Sequence, residues 1–353
     1  MLIASLFQFM ACKKDSQKQQ SPAQQSIENG LLTFSINGEL LNATIDTVKN
    51  LISVVIPRTM DLHSLKANFT LANQVNASIG STAITSGSNV DFSKIVYITI
   101  SSADKTRLTT FQVQVQTDLQ YFGVSGNILA EKSLNKDYNY YFDQFDGSPY
   151  QAVNCGPTVT TMAIKLADST FTKKPVDARN TYLENGGWWS TSDVGSYLKL
   201  NGINSETDTL SNLDSLVKAN IDKNNSVILC LDMYYVLYNT IYYQHTEKFY
   251  ITSDPNWGHF LLVKGYKQTQ NGFYLEIYDP YSQGKTYTVI TAGQLEGKDR
   301  YYSPDGIIQA TNIWWRYAII VAPKGQQVTA SASTRLSVNS ISKNKPIPVA
   351  YGR

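Results

Sequence analysis

A cysteine at the start of a predicted helix is the residue of this sequence best suited to nucleophilic chemistry. Cys155 opens the segment Cys155-Gly156-Pro157-Thr158, where proline is tolerated because a first-turn N–H group has no intrahelical partner. The apolar residues that follow keep the spacing of one buried helix face: Val159, Met162, Ala163 and Leu166. The dipole and the free amides of a helix N-terminus favour the thiolate form of a cysteine. The pattern therefore predicts an activated thiol at Cys155.

A thiolate nucleophile needs a partner that moves protons, and the sequence offers three histidines, His63, His245 and His259. His259 directly precedes a run of apolar residues that predicts a buried strand. Asp279 ends the next predicted strand, and a hairpin of the two strands would bring its carboxylate to the imidazole. A carboxylate there fixes the tautomer of the histidine and stabilises the imidazolium. We therefore predict a triad of Cys155, His259 and Asp279 that transfers an acyl group to sulfur and hydrolyses the thioester.

These motifs resemble those of the papain-like cysteine peptidases related to bacteriocin-processing peptidases, the peptidase C39-like family. The similarity rests on Cys-Gly-Pro-Thr at the helix start, on Gly-His-Phe-Leu-Leu-Val-Lys-Gly-Tyr around His259 and on Asp-Pro-Tyr from Asp279. It covers about residues 140–287 and implies an α+β domain with helices packed on an antiparallel sheet. It also implies that Cys155 is the nucleophile, that His259 is the general base and then the general acid, and that Asp279 orients the imidazole.

In this family a glutamine upstream of the nucleophile donates a hydrogen bond to the oxyanion, together with the backbone N–H of Cys155. The sequence offers Gln144 and Gln151. We favour Gln144 because it ends a short apolar strand, as in the family, whereas Gln151 lies in a turn closer to the cysteine. Trp257 and Gly258 directly precede the histidine, and we predict that they contact the substrate, with Gly258 leaving room beside the imidazole.

Other interpretations of these residues stay open at the level of sequence. Cys155 and Cys230 could pair as a structural disulfide in an oxidising compartment. The tyrosine-rich segment 233–250 fits either a substrate-binding flap or an insertion packed on the sheet. The same triad also serves acyltransferases and amidases. The alternative function is a catalytically inactive papain-like surface protein that recognises peptide or glycan; a paired-carboxylate glycosidase also stays open, although no acid pair stands out.

The segment before this region has the pattern of an all-β domain. Short runs rich in Val, Ile, Thr and Phe alternate with turn residues between positions 31 and 119, and Phe111–Gln116 alternates strictly between apolar and polar residues. Together with the run Ile95–Ile100 it predicts a hairpin in a small β-sandwich. The segment resembles the Ig-like N-terminal modules of Bacteroidetes surface lipoproteins, notably at Asp91-Phe92-Ser93.

The first residues have the features of an export signal. The apolar stretch Leu2–Ala11 leads into Phe9-Met10-Ala11-Cys12, which resembles the bacterial lipobox and implies cleavage before Cys12 and lipid attachment to it. Lys13-Lys14-Asp15 resembles the surface-export signals of Bacteroidetes lipoproteins. We therefore predict a lipid-anchored cell-envelope protein, at the outer membrane and exposed at the surface. The predicted organisation is a signal peptide at 1–11, a flexible linker at 12–30, the Ig-like sandwich at 31–119, the peptidase-like domain at 120–324 and a polar tail at 325–353.

Composition favours two folded domains and excludes several partners. The chain has 353 residues, 42% of them hydrophobic and 16% charged, and its formal net charge of +2 provides no basic field for nucleic acid phosphates. Cysteine and histidine are not clustered as a zinc site requires, and the sequence has no Gly-rich phosphate-binding loop. We expect a peptide or protein substrate, membrane contact through the lipid anchor, no nucleic acid partner, no metal and no cofactor. The sequence does not define an oligomeric state.

Overall fold

The structure, a computed structural model, describes residues 30–182 and 186–328 of the chain. The predicted signal peptide, the lipidation site Cys12, almost all of the linker and the tail from residue 329 onward lie outside the described residues. The chain divides into two compact units, one ending at Thr117 and the other beginning at Asp118. In the described ranges, no helix combines the length and the apolar character needed to cross a bilayer.

The first unit consists of strands throughout its described residues. They are β1 (Leu31–Ile36), β2 (Leu41–Asp46), β3 (Leu51–Ile56), β4 (Leu65–Leu71), β5 (Val75–Ile79), β6 (Thr82–Ile84), β7 (Ser88–Val90), β8 (Val96–Ser102) and β9 (Leu108–Thr117). One sheet has the order β1-β4-β7 and the other the order β2-β3-β9-β8-β5-β6. β8 and β9 form the predicted antiparallel hairpin, whereas β3 and β9 run parallel. The prediction of an all-β N-terminal domain is confirmed.

The second unit mixes helices and strands. Its helices are α1 (Asp118–Tyr121), α2 (Cys155–Ala167), α3 (Pro175–Thr181), α4 (Thr191–Leu200), α5 (Leu213–Asp222) and α6 (Pro304–Trp314). Its strands are β10 (Ile128–Ser133), β11 (Ser205–Thr209), β12 (Ser226–Asp232), β13 (Gly258–Thr269), β14 (Phe273–Tyr278), β15 (Arg300–Tyr302) and β16 (Tyr317–Val321). Two 3₁₀ turns, Gln151–Val153 and Met233–Tyr235, precede α2 and follow β12.

One antiparallel sheet forms the centre of the second unit. Its order is β11-β16-β12-β13-β14-β15, and β10 pairs with the second half of β13. All seven residues of β12 are buried between its neighbours, which explains why residues 227–231 are continuously apolar instead of alternating. α2 and α5 pack against β13, and α6 packs against β12. The prediction of an α+β domain with helices packed on an antiparallel sheet is confirmed.

A buried ion cluster joins β13 to β14. Lys267 Nζ lies 2.7 Å from Glu276 Oε2, and Lys264 Nζ contacts the other oxygen of the same carboxylate. Lys264 Nζ also lies 2.7 Å from Asp299 Oδ1, and Lys267 Nζ lies 3.0 Å from Glu131 Oε2. Charges this deeply buried are tolerated only when they are paired. The cluster therefore fixes the β13–β14 hairpin, which carries the candidate active site at its open end.

The second half of the tyrosine-rich segment 233–250 is hydrogen-bonded to the sheet. The buried guanidinium of Arg300, on β15, donates hydrogen bonds to the carbonyl oxygens of Thr246 (2.9 Å) and Glu247 (3.0 Å). The first half is more open, and the side chains of Leu237 and Tyr238 are exposed. These contacts favour the interpretation of the segment as an insertion packed on the sheet over that of a flap.

Candidate active site

Cys155 is the first residue of α2, as the sequence predicts. Its side chain is buried, and the residue after it allows close packing behind it. A Cβ atom on Gly156 would lie 2.6 Å from the Cβ of Trp189, so glycine lets this tryptophan pack on the first turn of α2. Cys155 and Cys230 are both free thiols, and the disulfide interpretation is therefore wrong.

His259 and Asp279 meet at the open end of the β13–β14 hairpin. Nε2 of His259 lies 2.8 Å from Oδ1 of Asp279, and both side chains are buried. The strand register accounts for the contact. Leu262 pairs with Tyr278, and His259 and Asp279 lie beyond this pair, toward the open end of the hairpin. Since the carboxylate engages Nε2, Nδ1 is the ring nitrogen left for another partner. The sulfur of Cys155 acts on this imidazole, where it raises the pKa of His259.

Asp279 is held by several donors besides the histidine. The hydroxyl groups of Tyr250 and Tyr302 donate to its Oδ2 at 3.0 and 2.9 Å, and the backbone N–H of Tyr281 donates to its Oδ1 at 3.0 Å. Gly297 lies so close that a Cβ atom there would collide with the carbonyl oxygen of Asp279. The carboxylate is thus fixed in one orientation, with Oδ1 directed at the imidazole.

The buried pair is charged at neutral pH. Burial alone would lower the pKa of His259, but the Asp279 carboxylate and then the Cys155 sulfur outweigh burial and raise this pKa to about 9. Burial likewise acts to raise the pKa of Asp279, yet the charge and hydrogen bond of His259 hold it below its ordinary value.

Gln144 lies between the strand end that carries Asp279 and the turn that leads to Cys155. Its backbone N–H donates to the carbonyl oxygen of Pro280 at 2.8 Å, and its side-chain Nε2 donates to the carbonyl oxygen of Gln151 at 3.0 Å. The side chain is buried, and its Oε1 accepts no hydrogen bond from the described residues.

Gln151 is engaged elsewhere. Its Oε1 accepts a hydrogen bond from the backbone N–H of Gly147 at 3.0 Å, within its own turn. The bond from Gln144 to Gln151, in contrast, uses only one of the two N–H groups of the Gln144 amide. The bond that Gln151 accepts uses its oxygen and neither of its N–H groups, so the choice of Gln144 over Gln151 as the donor to an oxyanion stays a prediction.

Trp257 forms part of an aromatic wall beside the imidazole. Its ring centroid lies 6.0 Å from that of His259 and 4.9 Å from that of Tyr281. The space at Gly258 is filled by protein, because a Cβ atom there would lie 2.5 Å from Cζ2 of Trp314. The glycine therefore admits a tryptophan next to the strand. Substrate contact at Trp257 and Gly258 stays a prediction.

His245 belongs to a separate aromatic cluster. His245 stacks between the rings of Phe122 and Tyr287, with centroid distances of 3.9 and 3.8 Å. Burial, and then the charge of Arg300, lower the pKa of His245 to about 3, so it is a neutral packing residue. His63 belongs to the first unit and is exposed.

Sequence reasoning missed the residues that hold the reactive groups in place. Tyr250 and Tyr302 are two of 23 tyrosines, and no local pattern distinguishes them from the rest. Arg179, on α3, donates from Nε to Oδ1 of Asn154 at 2.9 Å, directly before the cysteine. In the sequence, only Asn154 marks the place that Arg179 contacts, because asparagine commonly caps a helix. In the structure its side chain makes no cap.

Comparisons with known families agree with this architecture. Residues 136–306 match the family described as Peptidase_C39 like family, and residues 31–115 match the one described as SGBP, N-terminal. The first match spans Gln144, Cys155, His259 and Asp279. The similarity to C39-like peptidases that the sequence motifs predict is therefore confirmed, as is the sheet-rich N-terminal module.

Similarity to individual proteins is low. A structure from Bacillus anthracis, provisionally described as a C39-like peptidase, is 14% identical, with 52% of this chain and 93% of that chain covered and a TM-score of 0.32. One from Bacteroides fragilis, provisionally described as a secreted protein, is 15% identical over 22% of this chain and 69% of that chain (TM-score 0.18). A third structure, from Bacteroides thetaiotaomicron and provisionally described as a glycoside hydrolase, is 11% identical over 87% of this chain and 91% of that chain (TM-score 0.23). No curated protein matches the sequence.

Proposed function

We propose that this protein is a cysteine peptidase of the cell envelope that hydrolyses peptide bonds through Cys155, His259 and Asp279. The observation that carries the proposal is the 2.8 Å contact between His259 and Asp279, on an imidazole that also interacts with the sulfur of Cys155. The match of residues 136–306 to C39-like peptidases supports the same assignment. Nucleophile, proton carrier and orienting carboxylate are the parts that acyl transfer through sulfur requires.

Acylation begins with attack of the Cys155 thiolate on the carbonyl carbon of the peptide bond, which forms the C–S bond. The negative charge that develops on the carbonyl oxygen is stabilised by the Gln144 amide and the backbone N–H of Cys155. The imidazolium of His259 gives its proton to the leaving nitrogen as the C–N bond breaks. The products of this half-reaction are a free amine and a thioester on Cys155.

Deacylation uses the same groups in reverse roles. Neutral His259 removes a proton from water, and the resulting hydroxide attacks the thioester carbonyl. The C–S bond then breaks, and sulfur leaves as a thiolate beside the reprotonated imidazolium. Asp279 stays ionised throughout, because its donors and its low pKa favour the carboxylate.

We also propose that the protein is anchored at the cell envelope by lipid on Cys12. The match of residues 31–115 to the family described as SGBP, N-terminal supports a secreted or surface protein. We expect cells that express the chain with its natural N-terminus to incorporate labelled fatty acid into it. A Cys12→Ala variant that incorporated equal label would contradict the anchor.

The direct test of peptidase activity is incubation of the full chain with a peptide library in H₂¹⁸O, followed by mass spectrometry. A hydrolase produces new peptide termini and places ¹⁸O in each new carboxyl group. An acyltransferase joins the acyl group to an acceptor amine without ¹⁸O. A library that stays intact at high enzyme concentration contradicts the proposal and favours the binding-protein alternative.

Loss of the Gln144 amide should slow turnover strongly. Because removal of one side-chain oxyanion donor typically costs about 100- to 1000-fold in kcat, we expect this loss in Gln144→Ala, while Cys155 still reacts with thiol reagents. Gln151→Ala is the matched control and should keep kcat within about threefold, because its side chain bonds within its own turn. Equal losses in the two variants would show that Gln144 has no special role.

The pH dependence of turnover should reveal the raised pKa of His259. Since the folded-state pKa is about 9, the imidazolium persists to that pH and its proton is lost above it. We expect kcat/KM to fall on the alkaline side with a midpoint near 9. In Asp279→Asn the carboxylate charge that raises the pKa is absent, so the alkaline limb should move to lower pH. An alkaline limb at the same pH in both proteins would assign it to another group.

A further inference from the structure

A buried arginine lies directly behind the proposed nucleophile. Arg179, on α3, is 2% exposed and reaches the loop that precedes α2. Its Nε donates to Oδ1 of Asn154 at 2.9 Å, and its Nη2 donates to the carbonyl oxygen of Val153 at 3.3 Å. Two neighbouring residues on the N-terminal side of Cys155 are thus bonded to one rigid guanidinium.

The bond to Asn154 changes how α2 begins. Asparagine at the N-cap position normally accepts a hydrogen bond from an amide of the first turn. Asn154 occupies that position with no side-chain cap, and its side-chain oxygen accepts from Arg179 instead. Its amide nitrogen donates to Oγ of Ser148 at 3.2 Å, so both ends of the side chain are held away from the first turn. The amides of that turn are therefore left uncapped by Asn154.

Aromatic packing holds the guanidinium in place. The rings of Tyr150 and Trp189 flank it, with their centroids 5.9 and 6.0 Å from Cζ of Arg179. Trp189 also packs on the first turn of α2, at Gly156. The packing and the hydrogen bonds together fix the planar guanidinium against the loop before Cys155.

We propose that Arg179 is a positioning residue for the nucleophile: it holds Val153 and Asn154 so that the first turn of α2 stays open to the substrate. The inference rests on the proposed function only in assigning a reaction to Cys155. The order of the loop that precedes Cys155 is measurable without any substrate. This separation allows the two proposals to fail independently.

The first test is amide hydrogen exchange across residues 148–158 in Arg179→Met, measured by mass spectrometry. Loss of the bonds to Asn154 and Val153 should raise the exchange rate of this segment by about tenfold, because the loop before α2 then opens more often. Arg316→Met makes the same change of charge at an exposed position and should keep the wild-type exchange rate. Wild-type exchange in folded Arg179→Met would overturn the proposal.

Arg179→Lys tests the planar fork and replaces the first variant if the methionine protein does not fold. Lysine keeps the positive charge but lacks the fork that bonds Asn154 and Val153 together. We expect kcat at least about tenfold lower and KM unchanged. Wild-type kcat in Arg179→Lys would show that the fork does not position the nucleophile. Faster exchange in Arg179→Met, in a protein whose wild type hydrolyses no peptide, would contradict the proposed function but leave the ordering of the loop by Arg179 standing.

Discussion

Cys155→Ala should reduce peptide hydrolysis by about 10⁴-fold or more while the protein stays folded. Alanine removes the sulfur that attacks the carbonyl, and the other described thiol, Cys230, is buried on β12. The change is small in volume at a site whose packing depends mainly on Gly156 and Trp189, so the melting temperature should change little. The measurement is the initial rate on the best library peptide, together with thermal unfolding of the same sample.

Cys230→Ala is the matched control for this variant. Cys230 is a buried residue of β12, and burial raises the pKa of its thiol, which makes it unreactive. The same chemical change there should therefore leave the hydrolysis rate within a few-fold of wild type. A Cys155→Ala protein that hydrolyses peptides at the wild-type rate would contradict the catalytic assignment. Loss of activity in Cys230→Ala but not in Cys155→Ala would contradict it as well.

Glu276→Ala should destabilise the second unit by about 3–5 kcal/mol, because it leaves Lys264 and Lys267 buried without the carboxylate that they share. For a unit of this size, such a loss corresponds to a fall in melting temperature of about 6–20 °C. Since the cluster lies within the β13–β14 hairpin, partial loss of structure there should also disturb the contact between His259 and Asp279. Thermal unfolding and hydrogen exchange across β13 and β14 measure the two effects.

Glu131→Ala is the internal comparison for the same cluster. Glu131 contacts Lys267 at 3.0 Å, but its side chain is 37% exposed, so its loss should cost less than about 1 kcal/mol. Burial acts to raise the pKa of Glu276, but Lys264 and then Lys267 outweigh it and lower this pKa from an ordinary 4.5 to about 2. The stability that Glu276 contributes is therefore complete above about pH 4.5 and is lost as the pH falls towards 2. Equal costs for Glu276→Ala and Glu131→Ala would contradict this account.

The elements that carry the reactive residues were predictable because their patterns are local. The apolar run of β12 predicts a central strand, the start of α2 shows its glycine and proline, and the β13–β14 hairpin follows from two strands separated by a short turn. These patterns are enough to place His259 and Asp279 on adjacent strand ends. Hydrophobic periodicity thus determines the part of the site that lies within one hairpin.

The surroundings of the site were not predictable, because they depend on which elements pack together. Tyr302 reaches Asp279 from β15, and Arg179 reaches Asn154 from α3. Neither pair is linked by sequence spacing or by composition. The parallel pairing of β3 with β9 in the first unit is a similar case, since a periodic pattern shows which face of a strand is buried but not its neighbour or direction.

The central claim is that His259 activates Cys155, and the rate of alkylation of Cys155 at pH 6 in wild type and His259→Ala tests it most directly. Cys230 in the same molecule serves as the internal reference for a buried, inert thiol. Because an adjacent cation typically favours the thiolate by one to three pKa units, wild-type Cys155 should react at least about tenfold faster than Cys155 in His259→Ala. Equal rates in the two folded proteins, or a wild-type rate no higher than that of Cys230, would contradict the account.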